Sequence, residues 1–329
     1  MSEPLSVLIV GCGDIAGGYD TRAQGEAVLT HAGAYAQDAR FRIAACVDPD
    51  AGKRAKFMAR WNVAAGYDSL DACLKAGGPF DVASVCLPTH LHAETLERLL
   101  DAGPRLVFAE KPVTGEPVRS RALVEAFEAK GVSLAVNYLR RWDPAIHTLK
   151  AELAAGKWGR VQAIGGIYAK GLYNCASHFF DLVHYLVGPL TAKAVLGRVD
   201  DGRIEDPTLS VHLETEAGAP VMLTGVDGAA FFPFELDMVT EKGRITLEDL
   251  GLRLRTRTVQ QHPLFPHQPT LDDGAWADTG MARAMAAAVG NIFDHLISNA
   301  ALASTGRTAL AAEELCSAIV RLAAKGDKK

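Results

Sequence analysis

A chain of 329 residues is longer than one ordinary hydrophobic core supports, so two domains are expected. Its composition, 49% hydrophobic and 22% charged with a formal net charge of −5, provides no basic field for nucleic acid or anionic lipid and leaves small-molecule chemistry. No apolar run reaches the roughly 18 residues of a membrane helix, Met1-Ser2-Glu3-Pro4 lacks a signal peptide's basic start, and the six cysteines form no C-x-x-C pair. A cytoplasmic protein with buried free thiols is expected.

Leu5-Ser6-Val7-Leu8-Ile9-Val10 is an uncharged, mostly apolar run that reads as a strand buried on both faces, and it feeds directly into Gly11-x-Gly13-x-x-Ala16. Gly11 turns the chain off the strand, Gly13 admits a dinucleotide pyrophosphate to the backbone, and Ala16 lets the following helix pack closely. Gly11, Gly13, Asp14 and Ile15 are therefore candidate cofactor contacts, with the helix N-terminus facing the phosphates. The polar run over 17–30 reads as a loop or irregular helix start. The next strand, 41–47, ends at Asp48. A carboxylate there would accept the adenosine ribose hydroxyls and repel the extra phosphate of NADP, although Asp48 followed by Pro49 also reads as a turn.

A strand over 82–87 runs into Pro88-Thr89-His90-Leu91-His92 at the sheet edge where such folds bind ligands, which makes Pro88, Thr89 and His92 candidate cofactor contacts. The H-x-H pair has no third ligand nearby, and no metal is expected. The helix that follows stops at Gly103-Pro104. Strand 106–109 ends in Glu110-Lys111-Pro112, whose proline biases Lys111 toward an extended backbone and holds an ammonium where a nicotinamide would lie; Glu110 joins the cofactor candidates. A helix over 116–130 and a strand over 132–137 complete a doubly wound parallel sheet, and the domain boundary is set at 138.

From 139 to 329 the pattern changes to alternating strands, over 161–169, 191–199, 209–215, 221–226, 234–240, 244–247 and 252–258, as in a largely antiparallel sheet. Helices over 281–299 and 308–325 close the chain. One helix, 177–187, buries Phe179, Leu182, Val183 and Leu186 at helical spacing and carries His178, Asp181 and Tyr185 along another face, with Asn174 one turn earlier. Such a histidine is either hydrogen-bonded structure or a functional group, and Lys111 at a cofactor edge favours function.

With Gly11-x-Gly13-x-x-Ala16, Asp48, the segment over 88–92, Glu110-Lys111-Pro112, Arg140-Arg141 and the segment over 174–188 in order, the chain resembles the Gfo/Idh/MocA oxidoreductases along essentially its whole length. The resemblance implies an α/β protein: an N-terminal Rossmann domain (1–138) and a C-terminal α/β domain with an open-faced sheet (139–329) for substrate binding and oligomerisation. It also implies NAD or NADP, sugar or cyclitol substrates, and dimers or tetramers formed through the open sheet. Many members carry Asp where this chain has Asn174. Asparagine orients a hydroxyl or an imidazole but takes no proton, and in this position it looks like the family's nucleotide-sugar 3-dehydrogenases.

These readings lead to an NAD-dependent dehydrogenase of a secondary alcohol in a sugar, cyclitol or nucleotide sugar. The alternatives are a redox-neutral enzyme that keeps its NAD and a non-catalytic NAD and sugar sensor. Lys111 and His178 together favour turnover, because a sensor needs neither. His178 suits the base that takes the hydroxyl proton, and Lys111 suits the group that steadies the alkoxide, the reverse remaining open for a desolvated lysine. Asn174, Lys170, Tyr173 and Arg140 are expected to contact the substrate.

Overall fold

In the computed structural model, residues 3–21 and 27–326 are described; the middle of the expected polar loop, 22–26, lies outside them. The chain divides into two compact units, Met1–Trp142 with Ala282–Leu310, and Asp143–Met281 with Ala311–Lys329.

The first unit holds β1 (Leu5–Val10), β2 (Phe41–Val47), β3 (Ala65–Tyr67), β4 (Val82–Val85), β5 (Leu106–Ala109) and β6 (Ser133–Val136) in one parallel sheet, ordered β3-β2-β1-β4-β5-β6. Val7, Leu8 and Ile9 are fully buried, which explains why β1 has an unbroken apolar centre instead of alternating. Between the strands run α1 (His31–Gln37), α2 (Ala51–Trp61), α3 (Leu70–Ala76), α4 (His92–Ala102) and α5 (Pro117–Lys130). Their starts are legible chemistry: Asp50 caps α2 by accepting from the Gly52 and Lys53 N–H groups, and Pro117 opens α5. The strand order reverses between β1 and β4, so the ligand crevice lies outside their carboxyl ends.

The second unit contains α6 (Pro144–Ala154), α7 (Ser177–Val187) and a nine-stranded sheet. Its main strands are β7 (Val161–Tyr168), β8 (Leu190–Arg198), β9 (Leu209–Thr215), β10 (Pro220–Gly225), β11 (Phe234–Thr240), β12 (Gly243–Glu248) and β13 (Arg253–Gln260). Among the described residues only β7 and β10 of this sheet pair in parallel; its remaining pairs are antiparallel. Two short strands absent from the sequence reading, β14 (Thr270–Leu271) and β15 (Ala275–Asp278), add to β13. β9 and β11 alternate between buried and more exposed residues, as a sheet covered on one face requires. A Cβ on Gly166 of β7 would collide with the Phe179 ring, so a glycine there lets α7 lie close against the covered face.

The closing helices correct the expected boundary. The helix α8 (Ala284–Ser298) packs with the first unit: Met285, Ala288, Val289 and Ile292 are buried in one cluster with Val7, Ile9 and Trp142. Asn291 on α8 accepts from the Trp142 indole at 2.9 Å, and the Ser304 hydroxyl donates to the Val136 carbonyl at 2.6 Å. The sequence reading assigned this segment to the second domain because an apolar stripe shows which face is buried but not what buries it. The last helix, α9 (Gly306–Gly326), starts in the first unit and ends in the second. Among the described residues no helix is long and apolar enough to cross a membrane.

Candidate active site

Gly11 leaves β1 with φ +93°, and a Cβ there would sit 2.7 Å from the Cys86 carbonyl oxygen. Both the backbone angle and the space demand glycine. Gly13 is different: its backbone is ordinary, and nothing lies within 4 Å of where its Cβ would project. Its missing side chain leaves open a cradle of the kind a pyrophosphate needs. The regular helix expected next is absent. Residues Asp14–Gly18 make one wide π-helical turn and Tyr19–Thr21 a short 3₁₀ turn, since Gly17-Gly18 is a poor helix former. Asp20 then ties this segment to the start of α1, accepting from the Leu29 N–H at 2.8 Å and the Thr30 hydroxyl at 2.5 Å.

Asp48 is nearly buried at the end of β2. Its Oδ2 accepts from the Cys12 N–H at 2.8 Å and its Oδ1 from the Asp50 N–H at 2.9 Å, so it clips the glycine-rich turn to the start of α2. The Arg54 guanidinium donates to the Asp48 carbonyl at 2.5 Å. Beside it, a cavity of about 270 Å³ opens between the carboxyl ends of the strands, with Val10, Val47 and Leu87 as apolar walls and Asp68, Asp71 and Glu94 as carboxylates. The sequence reading missed these three acids, which are distant in sequence and converge only through the crossovers. A larger hollow of about 630 Å³ lies between α3 and α4, lined by residues such as Leu74, Pro79 and Leu99, where no group suits hydride transfer.

Pro88 and Thr89 lie at this same edge, in the turn that leads into α4. His92 does not serve as expected. It is fully buried, with Nδ1 2.9 Å from the Pro112 carbonyl and Nε2 2.9 Å from the Leu87 carbonyl; the ring N–H donates to one of them, and the imidazole fills the space between the two loops. Among the described residues no group of three or more histidine, cysteine or acidic side chains is placed to hold a metal.

Glu110 is likewise turned inward. Its Oε1 lies 3.1 Å from His31 Nε2 and accepts from Asn137 Nδ2 at 2.6 Å, and only 14% of its side chain is exposed. Burial alone would raise this carboxyl, yet the His31 and Asn137 hydrogen bonds and the charge of Lys111 together hold it below the ordinary glutamate range. Lys111 follows at the carboxyl end of β5, half-buried, and its peptide bond to Pro112 is cis. Arg140 is buried in the turn after β6.

In the second unit, β7 ends at Tyr168, Lys170 and Gly171 both take positive φ, and a π-helical turn over Leu172–Ala176 feeds α7. Asn174 therefore belongs to this wider turn and not to a regular turn before His178; it is exposed, and its Nδ2 donates to the Lys170 carbonyl at 3.1 Å. Asp206, which the sequence reading passed over beside Pro207, accepts from the Tyr173 and Asn174 N–H groups at 2.7 and 3.0 Å and fixes the turn. Burial pushes the Tyr173 phenol up to about 12, so it stays a neutral hydrogen-bonding group. The Lys170 ammonium lies 4.7 Å from the centre of the Phe232 ring. His178 is half-buried, one residue before Phe179 of the apolar stripe. The rest of the expected polar line is occupied otherwise: Asp181 is buried, and Tyr185 packs against His147 and Lys150 of α6.

Residues 5–138 match the model of the oxidoreductase family with an NAD-binding Rossmann fold, GFO_IDH_MocA. Inositol 2-dehydrogenase of Rhizobium meliloti is 25% identical over 206 residues, 55% of this chain and 61% of the relative. Inositol 2-dehydrogenase 1 of Saccharopolyspora erythraea is 27% identical over 226 residues, 63% of this chain and 66% of that protein. The chain thus aligns with about three fifths of the first relative's length. Among solved structures, the WlbA dehydrogenase of Bordetella pertussis, in complex with NADH and UDP-GlcNAcA, superposes with TM-score 0.79 at 21% identity, covering 98% of this chain and 97% of that one. KijD10, a 3-ketoreductase of Actinomadura kijaniata in complex with NADP, gives 0.77 at 16% identity, covering 97% of each. The fold and the crevice define an NAD-binding Rossmann unit joined to a second α/β unit. The family match is confined to the first unit, whose residues 5–138 are similar to the NAD-binding domain of the Gfo/Idh/MocA oxidoreductases.

Proposed function

We propose that the protein transfers hydride between a secondary alcohol of a sugar, cyclitol or nucleotide sugar and NAD. The observation that carries this is Lys111, held at the carboxyl end of β5 in the same parallel sheet whose glycine-rich turn leaves the Gly13 cradle open. When bound, the nicotinamide accepts or returns the hydride. His178 removes the hydroxyl proton as the carbinol hydrogen leaves, and the Lys111 ammonium steadies the developing alkoxide. Asn174, Lys170, Tyr173 and Arg140 contact and orient the substrate. The inositol dehydrogenases and the WlbA complex support cyclitols and nucleotide sugars as the substrate classes to test first.

The Asp48 carboxylate favours NAD over NADP, because a 2′-phosphate would meet its charge. The six free, buried cysteines support a reducing compartment, and we place the protein in the cytoplasm. The test is NAD or NADP reduction, followed by absorbance, across myo-inositol, scyllo-inositol, UDP-sugars and simple hexoses. Lys111→Ala and His178→Ala are each expected to keep NAD affinity and lower kcat by about 10²-fold or more. A variant that turns over the same alcohol at the wild-type rate removes its residue from the mechanism. Tight NAD binding without reduction by any alcohol would favour the sensor.

A further inference from the structure

His31 lies outside the glycine-rich motif and outside every candidate site read from the sequence, yet it is completely buried against Glu110, the residue before Lys111. Its ring stacks at a tilt on Phe108 of β5, with 4.4 Å between centroids, and its Nε2 lies 3.1 Å from Glu110 Oε1. The same oxygen accepts from Asn137 Nδ2 at 2.6 Å, and Asn137 also reaches Met285 Sδ at 3.4 Å. A carboxylate oxygen only accepts, so the imidazole hydrogen sits on Nε2. The far sides of both donors are unsatisfied: His31 Nδ1 and Asn137 Oδ1 are buried with no hydrogen-bond partner. Buried polar groups are nearly always paired, and two orphaned atoms around one carboxylate call for an explanation. Both donors have been directed to Glu110 at the expense of their own remaining valences.

We propose that His31 is a positioning residue for Lys111. Together with Asn137 it holds Glu110 as an anion, and that anion keeps the neighbouring Lys111 side chain a charged ammonium, available to a substrate oxygen. Without the two donors, burial would drive Glu110 toward its neutral acid, and Lys111 would lose the charge that favours its own ionised form. The dependence of Glu110 on burial, on both hydrogen bonds and on Lys111 agrees with this geometry. The role also gives a reason for the Asp20 and Thr30 bonds that pin the start of α1, since His31 is its first residue. The proposal rests on Lys111 as the acting group, so its test needs no substrate.

An amine reacts with trinitrobenzenesulfonate only when unprotonated, so the labelling rate of Lys111 at fixed pH, read by mass spectrometry of its peptide, reports the charge directly. His31→Leu, which keeps bulk but no donor, should raise that rate about threefold or more, whereas His31→Gln, whose amide N–H replaces Nε2–H, should stay near wild type. Glu110→Gln should raise it equally, and His31→Leu added to Glu110→Gln should change nothing further. NAD affinity and the thermal midpoint show that each variant is folded. An unchanged rate in Glu110→Gln overturns the proposal even if His31→Leu does not fold. Equal rises in His31→Leu and His31→Gln overturn it as well, because packing and not the hydrogen bond would then be responsible. If an alcohol substrate is found, His31→Leu should lower kcat with little change in the KM for NAD.

Discussion

Asp48 has two duties that a single substitution separates. Its carboxylate ties the N–H of Cys12 to that of Asp50, and in the proposed function its charge also disfavours the 2′-phosphate of NADP. Asp48→Ala is expected to lower stability by about 1–3 kcal/mol, the usual cost of leaving buried donors unpaired, and to erase the preference for NAD. Denaturant unfolding and calorimetry with both cofactors check the two effects independently. Glu110 makes a second residue-level prediction. Its carboxyl is held below the ordinary value of 4.5, so its contribution to stability is complete above that value and is lost as pH falls through its lower folded-state value. Wild type should therefore lose more stability than Glu110→Gln between about pH 5 and pH 3, as urea titrations at stepped pH would show. The bond from the Asp50 N–H to Asp48 is the turn read at Asp48-Pro49, whereas the long-range partnerships are not legible in the sequence. Cys12 and Asp48 are 36 positions apart and His31 and Glu110 are 79 apart, and only the packed sheet brings them together.

At the scale of elements much more could be read. Five of the buried strands of the first unit announced themselves as short apolar runs and the main strands of the second by alternation, and β9 and β11 fall on the residues expected from the sequence. The stripe of α7 is also buried as its spacing requires. What escaped were the short strands β3, β14 and β15 and the wide turns. The π-helical turns at Asp14–Gly18 and Leu172–Ala176 leave no periodic trace, because five residues make barely one wide turn and no helical spacing recurs within them. His92 shows the complementary limit: its place at the carboxyl edge of the sheet made it a candidate cofactor contact, and the structure turns its ring into the core. The contact between β7 and α7 makes a prediction of its own. Gly166→Ala would push Phe179 off the sheet at an overpacking cost of about 1–3 kcal/mol and shift His178 with it. NAD binding should survive while kcat falls, which equilibrium binding and steady-state rates would distinguish; an unchanged kcat would show that the helix absorbs the methyl group without moving its histidine.

At the scale of the whole molecule, the uncovered face of the nine-stranded sheet carries Ile167, Met222 and Val239, which are 39, 43 and 37% exposed, beside the Asp237–Arg244 pair. Apolar side chains grouped on an open sheet favour a second copy as their cover. A homodimer or homotetramer is expected, and Ile167→Glu with Met222→Glu should yield monomers by light scattering while each unit stays folded. The return of α8 to the first unit has a further consequence, for the order in which the protein is made. A ribosome releases residues 1–142 long before Met285, Val289 and Ile292 exist, so the nascent nucleotide-binding half must wait through the synthesis of some 140 intervening residues with part of its core uncovered. Fragments that stop at Trp142 should aggregate, and fragments that carry residues 282–310 back to it should not. In this chain the natural unit of engineering, exchange or rescue is discontinuous.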